Sequence, residues 1–396
     1  MAEKNRQREN DFMKIAVFGG SFDPPHKGHA RLLKAAATRL RPDLMLVIPS
    51  FHSPLKNKSI SPAADRAAMA ALLAAKNEAK TGVRSVVDLF EIRRKETVYT
   101  YQTLEYLKNA YPGAALFLVI GSDCAMQFDK WKNPGAVKKL AKIVVGARKG
   151  FECGRSRLKK SGFDVLPGRF SAVSSAQVRS RIVSRGKIPR CVSGQIAEHI
   201  AGKELYALNI HKWLAKNLDE TRLRHTLAVS VLCAKLAEKW GENPCRAALA
   251  GLLHDAGKAI PADRMARYAK KKNIQADRLE QICRLQPALL HSYISAEIAK
   301  NVFGIDDNGV LAAVENHTLG RPGMEPLEKI LYIADISSAD RDFAGAGDIR
   351  RLAFENLNSA ALETARCKLA HVLRAGKWLH PGGVETWNSL AAEQTR

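Results

Sequence analysis

Two histidines, His26 and His29, stand three residues apart inside Gly19-Gly20-Ser21-Phe22-Asp23-Pro24-Pro25-His26-Lys27-Gly28-His29. An apolar run, Ile15-Ala16-Val17-Phe18, precedes this stretch, and a helical apolar pattern through Leu32, Leu33 and Ala36 follows it. The spacing predicts a glycine-rich strand-to-helix turn, where backbone N–H groups and a helix N-terminus meet phosphate oxygens. Two imidazoles three positions apart at the helix start face one anion. That suits phosphoryl or nucleotidyl transfer, in which catalysis is mainly positioning and charge stabilisation. The plain alternative, a turn whose histidines only cap a helix, leaves the GGSFDPP run unexplained.

Two further groupings could do chemistry. Val173-Ser174-Ser175-Ala176-Gln177-Val178-Arg179 places two hydroxyls at a helix start with an arginine one turn in, a clamp for a polyphosphate tail. Its alternative is an ordinary N-cap with a solvated arginine. His225, His254, Asp255, His291, His317 and Asp335 are all metal-ligand types set in apolar helical segments. One imidazole among aliphatics is more often a satisfied core residue. Four of them with two carboxylates, on separate helices, read as a metal centre.

The elements that must position these groups fall into two kinds. Up to about residue 205, candidate strands at 14–19, 44–49, 84–89, 115–120 and 142–147 alternate with helical patterns near 29–40, 62–79, 100–110 and 133–140. This rhythm predicts an α/β Rossmann-like parallel sheet, with ligands beyond the carboxyl ends of the strands. From about 208 onward strand patterns vanish. Helices are expected at 221–239, 244–255, 275–284, 291–302, 308–316, 325–337, 348–356 and 358–374, an all-α domain. The expected division is an extension over 1–12, a first domain over 13–206 and a second over 208–390. Residues 1–12 read as disordered or as an artefact of start-site choice.

Composition sets limits. The 396 residues include seven scattered cysteines without a CxxC pair, which fits a reducing cytoplasm and no disulfide framework. No apolar run reaches transmembrane length, and the start lacks a secretory stretch. The net charge of +24 fits anionic ligands, or a basic proteome in which Lys and Arg solvate surfaces; charge alone does not separate them. There is no aromatic-interleaved basic strand of the kind that stacks RNA bases, which argues against a nucleic-acid partner. Homo-oligomerisation is left open.

GGSFDPPHKGH together with SSAQVR resembles the HxGH and SSxxxR signatures of the nucleotidyltransferase α/β-phosphodiesterase superfamily, and more narrowly the bacterial nicotinate mononucleotide adenylyltransferases, over about 14–206. The resemblance implies that His26 and His29 hold the ATP phosphates and stabilise charge at the α-phosphorus. It implies that Gly19, Gly20 and Ser21 line the nucleotide cradle, and that Ser174, Ser175 and Arg179 bind the triphosphate with Mg²⁺. Lys56 would meet the mononucleotide phosphate, Thr100 and Trp131 would hold the pyridine ring, Asp123 would bind a ribose, and Arg148 would close the last strand near the substrate. Leu55 stands where a His is usual, Ala176 where a Thr is usual and Gln102 where an Asp is usual. Trp131 also has a plain reading as a core aromatic.

The order H…HD…H…H…D, with His317-Thr318-Leu319-Gly320-Arg321-Pro322-Gly323-Met324 and Asp340-Arg341-Asp342-Phe343, is similar to the HD-domain metallophosphohydrolases, and within them to the bacterial symmetrical diadenosine tetraphosphate hydrolases, over about 208–390. That implies two divalent cations, iron or manganese, that activate water and neutralise phosphate. His225, His254, Asp255 and Asp335 would hold one, His291 and His317 the other, with Asp255 bridging. Lys258, Arg321 and Arg341 become polyphosphate contacts or solvated surface cations.

The expectation is a fused bifunctional enzyme. It would join ATP and nicotinate mononucleotide into the dinucleotide with release of pyrophosphate, and cleave diadenosine tetraphosphate into two ADP. One alternative keeps the folds with another phosphorylated acceptor, such as pantetheine phosphate, and another nucleotide. A second makes the HD half a nucleotide- or RNA-binding regulatory module.

Overall fold

The computed structural model describes residues 12–52, 61–148, 158, 160–170 and 172–394. Residues 1–11 of the expected extension lie outside them, as do Leu55 and Lys56. The chain divides into two compact units, Met1–Val178 with Ile188–Tyr206, and Arg179–Lys187 with Ala207–Arg396.

In the first unit, strands β1 (Lys14–Gly20), β2 (Leu44–Pro49), β3 (Ser85–Val87), β4 (Ala115–Gly121), β5 (Lys142–Arg148) and β6 (Asp164–Phe170) form one sheet in the order β3-β2-β1-β4-β5-β6. Every neighbouring pair is parallel, with Val17 opposite both Leu46 and Leu118. Alternation along the strands sorts side chains to two faces. Ile15, Val17, Leu46, Leu118 and Val145 pack against Leu104, Leu107 and Val137 on one side. Ala16, Phe18, Val47, Val119 and Val144 pack against Leu32, Leu33, Ala70 and Leu73 on the other. Helices α1 (Lys27–Leu40) and α2 (Ala63–Thr81) thus cover one face, and α4 (Thr100–Ala110) and α6 (Pro134–Leu140) the other, with α3 (Phe90–Arg94) and α5 (Ser122–Ala125) as short connectors. Helices α7 (Ser175–Arg185) and α8 (Gly194–Gly202) follow.

Strand β6 is not among the expected strands. Pro167 and Gly168 break its apolar run, and an edge position tolerates both because no outer neighbour needs their N–H groups. The strand order reverses between β1 and β4, which opens a crevice at their carboxyl ends.

The second unit is helical: α9 (Leu208–Asn217), α10 (Glu220–Trp240), α11 (Pro244–Leu253), α12 (Ala262–Lys271), α13 (Leu279–Leu285), α14 (Leu290–Asn301), α15 (Asn308–Asn316), α16 (Pro326–Ser337), α17 (Ala346–Glu355), α18 (Leu357–Arg374) and α19 (Pro381–Gln394). Helix α16 is buried nearly all round, from Leu327 to Ala334, and is the post on which the others pack. The expected helix at 275–284 is the shorter α13, and α12 and α19 are additional. No helix among the described residues is long and apolar enough to cross a membrane.

Candidate active sites

The β1–α1 turn carries the first site. His26 is the N-cap of α1, 5% exposed, and its Nδ1 accepts from the Gly28 N–H at 3.1 Å. The His29 Nδ1 accepts from the His26 N–H at 3.2 Å, and the two rings lie 3.9 Å apart between centroids. A ring nitrogen that accepts from an amide carries no proton, so each neutral imidazole keeps its proton on Nε2. The turn therefore holds two ring donors at a helix N-terminus, which is a charge arrangement for an anion.

Gly19 and Gly20 end β1 beside the sheet crevice. A Cβ on Gly19 would come no nearer than 4.0 Å to any other residue, the Ile48 carbonyl, and its φ is not positive. Nothing in the protein itself demands glycine there, whereas a ligand lying against the backbone would. Phe22, at φ 49°, is a buried non-glycine residue in the left-handed region, so the cradle is held in a strained conformation.

Arg66, on α2, is the residue the sequence reading missed. It is 2% exposed, and its guanidinium donates to the carbonyls of Ser21 at 3.2 Å, Phe51 at 3.0 Å, Ser61 at 3.3 Å and also Ser50. One cation thus ties the cradle to the end of β2. The signal was a lone arginine in Ala63-Ala64-Asp65-Arg66-Ala67-Ala68-Met69, in phase with the buried Met69 and Leu73. Asp23, 1% exposed, accepts from Ser61 and from the Tyr206 hydroxyl at 2.8 Å, closing the same region.

The serine pair meets this turn. The Ser175 hydroxyl donates to the Pro24 carbonyl at 2.9 Å. Ser174 caps α7: its Oγ accepts from the Gln177 N–H at 3.2 Å, and the Gln177 side chain accepts from the Ser174 N–H at 3.1 Å. Arg179 lies one turn further on and belongs to the second compact unit. Thr100 opens α4, where the Gln102 amide accepts from the Tyr99 N–H at 2.9 Å and so does the capping work of an acid. Asp123 follows β4 at the crevice, and Trp131 is half-buried against Phe128, with ring centroids 5.1 Å apart. Arg148 ends β5.

The second site gathers all six metal-ligand candidates. The donor atoms of His225, His254 and Asp255 lie within 4.8 Å of one another, as do those of Asp255, His291 and His317, so Asp255 is shared. Asp335 stands 3.3 Å from His225 and 3.9 Å from His254. Three rings donate Nδ1–H to the carbonyl three residues back: His254 to Gly251 at 2.7 Å, His291 to Ala288 at 2.6 Å and His317 to Val314 at 2.7 Å. His225, in the middle of α10, uses Asp340 instead at 2.8 Å, and Asp340 is itself steadied by the Ser338 hydroxyl at 2.6 Å. Each ring thereby turns an Nε2 lone pair inward.

That donor set fits divalent cations. His254 Nε2 is buried with no hydrogen-bond partner. The Nε2 atoms of His291 and His317 face each other at 3.1 Å, and the single Thr318 hydroxyl, 3.2 Å from both, has one proton for two lone pairs. Burial pushes His291 down to about 4, and His254 and His317 also lie below the usual imidazole range for that reason. Burial works to raise the Asp255 carboxyl, but His254, His291 and His317 outweigh it and hold it below the ordinary carboxylate range. Neutral imidazoles around an ionised carboxylate are the protonation states a metal needs. Gly257 makes the approach possible: a Cβ there would meet the His291 carbonyl at 2.2 Å.

Cations ring the cluster. Arg222 donates to Asp255 at 2.8 Å, and Arg341 donates to the Asp335 carboxylate at 3.2 Å. Lys368 reaches Asp335 at 3.4 Å and the His317 carbonyl at 2.6 Å, and lies 4.0 Å above the Tyr332 ring. Burial lowers the Lys258 ammonium, which feels Asp255, Arg222 and Arg341. Arg321, by contrast, is held bidentately by Glu328 at 2.7 and 2.6 Å.

A family model described as cytidylyltransferase-like matches residues 17–181, and an HD-domain model matches residues 222–340. A Mycoplasma genitalium protein named probable nicotinate-nucleotide adenylyltransferase/Ap4A hydrolase is 28% identical over 359 residues, 89% of this chain and 97% of that protein. An Aquifex aeolicus probable nicotinate-nucleotide adenylyltransferase is 42% identical over 134 residues, 34% of this chain and 77% of its own length. A Bacillus subtilis symmetrical bis(5'-nucleosyl)-tetraphosphatase is 30% identical over 177 residues, 45% of this chain and 93% of its own.

Proposed function

The chain belongs to the nicotinate-nucleotide adenylyltransferases through its first half and to the HD-domain proteins through its second, and on that footing we propose a bifunctional enzyme with two separate chemistries. The first half transfers the adenylyl group of ATP to nicotinate mononucleotide. The second cleaves diadenosine tetraphosphate symmetrically to two ADP. The observation that carries the reading is the pair of imidazole sets, one turned as donors towards an anion and the other as acceptors towards cations.

In the first reaction the mononucleotide phosphate attacks the α-phosphorus of ATP, and pyrophosphate leaves with Mg²⁺. His26 and His29 donate Nε2–H to oxygens on which charge grows in the transition state. Gly19, Gly20 and Ser21 let the nucleotide lie against the backbone. Ser174, Ser175 and Arg179 hold the triphosphate, while Lys56, Thr100, Asp123, Trp131 and Arg148 serve the mononucleotide. No covalent intermediate is needed.

In the second reaction His225, His254, Asp255 and Asp335 hold one divalent cation, and His291 and His317 the other, with Asp255 bridging. Iron or manganese bound there would supply Lewis acidity and acidify water. Asp340 fixes the His225 tautomer, and Lys258, Arg321 and Arg341 are the phosphate contacts. Most of the excess positive charge lies in the first 206 residues, whereas basic and acidic residues nearly balance in the rest. That distribution weighs against an HD half that works as a polyanion-binding module.

The test is direct. The purified chain is incubated with ATP plus nicotinate mononucleotide, and separately with diadenosine tetraphosphate and Mn²⁺, and the products are separated by chromatography. Dinucleotide in the first and ADP as sole product in the second are expected. ATP plus AMP in the second would overturn symmetrical cleavage.

A further inference from the structure

Beside the His225 face of the metal-ligand cluster lies a cavity of about 440 Å³, lined by Asp219, Thr221, Arg222, His225, Asp340 and Arg341. Its two acids are already engaged. Asp219 caps α10 by accepting from the Arg222 N–H at 2.8 Å, and Asp340 accepts from His225 and Ser338. Its two guanidiniums face each other across the ligand carboxylates. Arg222 uses one N–H on Asp255; Arg341 uses Nε on the Asp335 carbonyl at 3.0 Å and Nη2 on its carboxylate. Both side chains are 37% exposed, so donors remain on the cavity side.

We propose that Arg222 and Arg341 form a two-guanidinium clamp for a phosphate group next to the one attacked. The proposal rests on the hydrolase reading and adds Arg222, which the sequence reading did not single out. A guanidinium presents five donors in a planar fork matched to phosphate oxygens. A carboxylate that shares its lone pairs with a divalent cation is a weaker acceptor for arginine. Loading the cluster therefore loosens Arg222 from Asp255 and Arg341 from Asp335, and both become available to an anion in the cavity. Lys258 adds a third positive charge within reach of the same carboxylates. The order of events follows: cations first, phosphate second.

The probe is inorganic phosphate, titrated calorimetrically into the full chain saturated with Mn²⁺. Metal content is measured on the same samples by elemental mass spectrometry. Arg222→Gln is expected to weaken phosphate binding roughly 10- to 100-fold with metal content unchanged, the worth of charge-assisted hydrogen bonds. Arg222→Lys keeps the charge and loses the fork, so it falls between, and it stands in if the glutamine variant does not fold. Unchanged phosphate affinity in both variants overturns the clamp. So does a loss of metal in parallel with phosphate, which would make Arg222 a structural partner of Asp255. If the wild type binds phosphate in this way but does not cleave diadenosine tetraphosphate, the substrate reading fails and the clamp stands.

Discussion

Replacing Asp340 should weaken the metal site by an amount its geometry sets. The Asp340 carboxylate accepts from His225 Nδ1 at 2.8 Å, whereas the other three imidazoles donate to neutral carbonyls at 2.6–2.7 Å. Asp340→Asn makes His225 like the other three, provided that the amide oxygen faces the ring. The loss is the difference between a charge-assisted and a neutral hydrogen bond, about 1–1.5 kcal/mol. That corresponds to a roughly five- to tenfold rise in metal dissociation constant. Asp340→Ala leaves the Nδ1–H of a 5% exposed ring without an acceptor, at a cost of about 2–3 kcal/mol or up to about 100-fold. The assay is competition for Mn²⁺ against a chromophoric chelator, with adenylyl transfer by the other half as an internal control. Equal affinities for wild type, Asn and Ala variants would refute the reasoning, as would an Asn variant weaker than Ala.

Four further outcomes are expected. His29→Ala removes one of two donors at the growing charge and should cut dinucleotide formation about 10²- to 10³-fold in steady-state assays while tetraphosphate cleavage is spared. Asp255→Ala removes the shared carboxylate, so metal content should fall from about two to one or fewer per chain, with cleavage lost and adenylyl transfer kept. Gly19→Ala should leave the thermal midpoint nearly unchanged, since its Cβ meets nothing nearer than 4.0 Å, yet abolish ATP binding measured by calorimetry. Burial pushes the Glu91 carboxyl up to about 7, against the Thr103 hydroxyl bond that opposes the rise. A folded value above the unfolded one means stability is fully present below about pH 4 and is lost as pH rises towards 7. Glu91→Gln should therefore be more stable than wild type by about 2–3 kcal/mol at pH 8 in urea denaturation, a difference that vanishes towards pH 4.

What was legible in the sequence was local. Alternation along Ile15 to Phe18 and Leu44 to Ile48 marks buried strands, and the glycine-rich turn after the first announces its chemistry within eleven residues. Histidines in apolar helices stand out because an unpaired imidazole there is costly. What escaped depends on packing. Strand β6 reads as a turn because of Pro167 and Gly168, and only its edge position permits it. Arg66 looks like one polar residue in an alanine-rich helix; its burial against four carbonyls is a tertiary fact. Asp340 meets His225 across 115 positions of chain, and no spacing rule reaches that far. Helix α12 buries only Met265 and Ala269, so its apolar stripe is too thin to announce it.

The two histidine sets differ in more than location. At the start of α1 the main chain has N–H groups to give, and they take the Nδ1 lone pairs of His26 and His29. At the ends of α11 and α15 the main chain has C=O groups left over, and they take the Nδ1 protons of His254 and His317. The same side chain is thus set to opposite polarity by which end of a helix it caps. Helix direction acts as a one-bit instruction: a histidine at the front speaks to anions, one at the back to cations. A graft that moved either set to the other kind of terminus would carry the residues across and invert what they recognise.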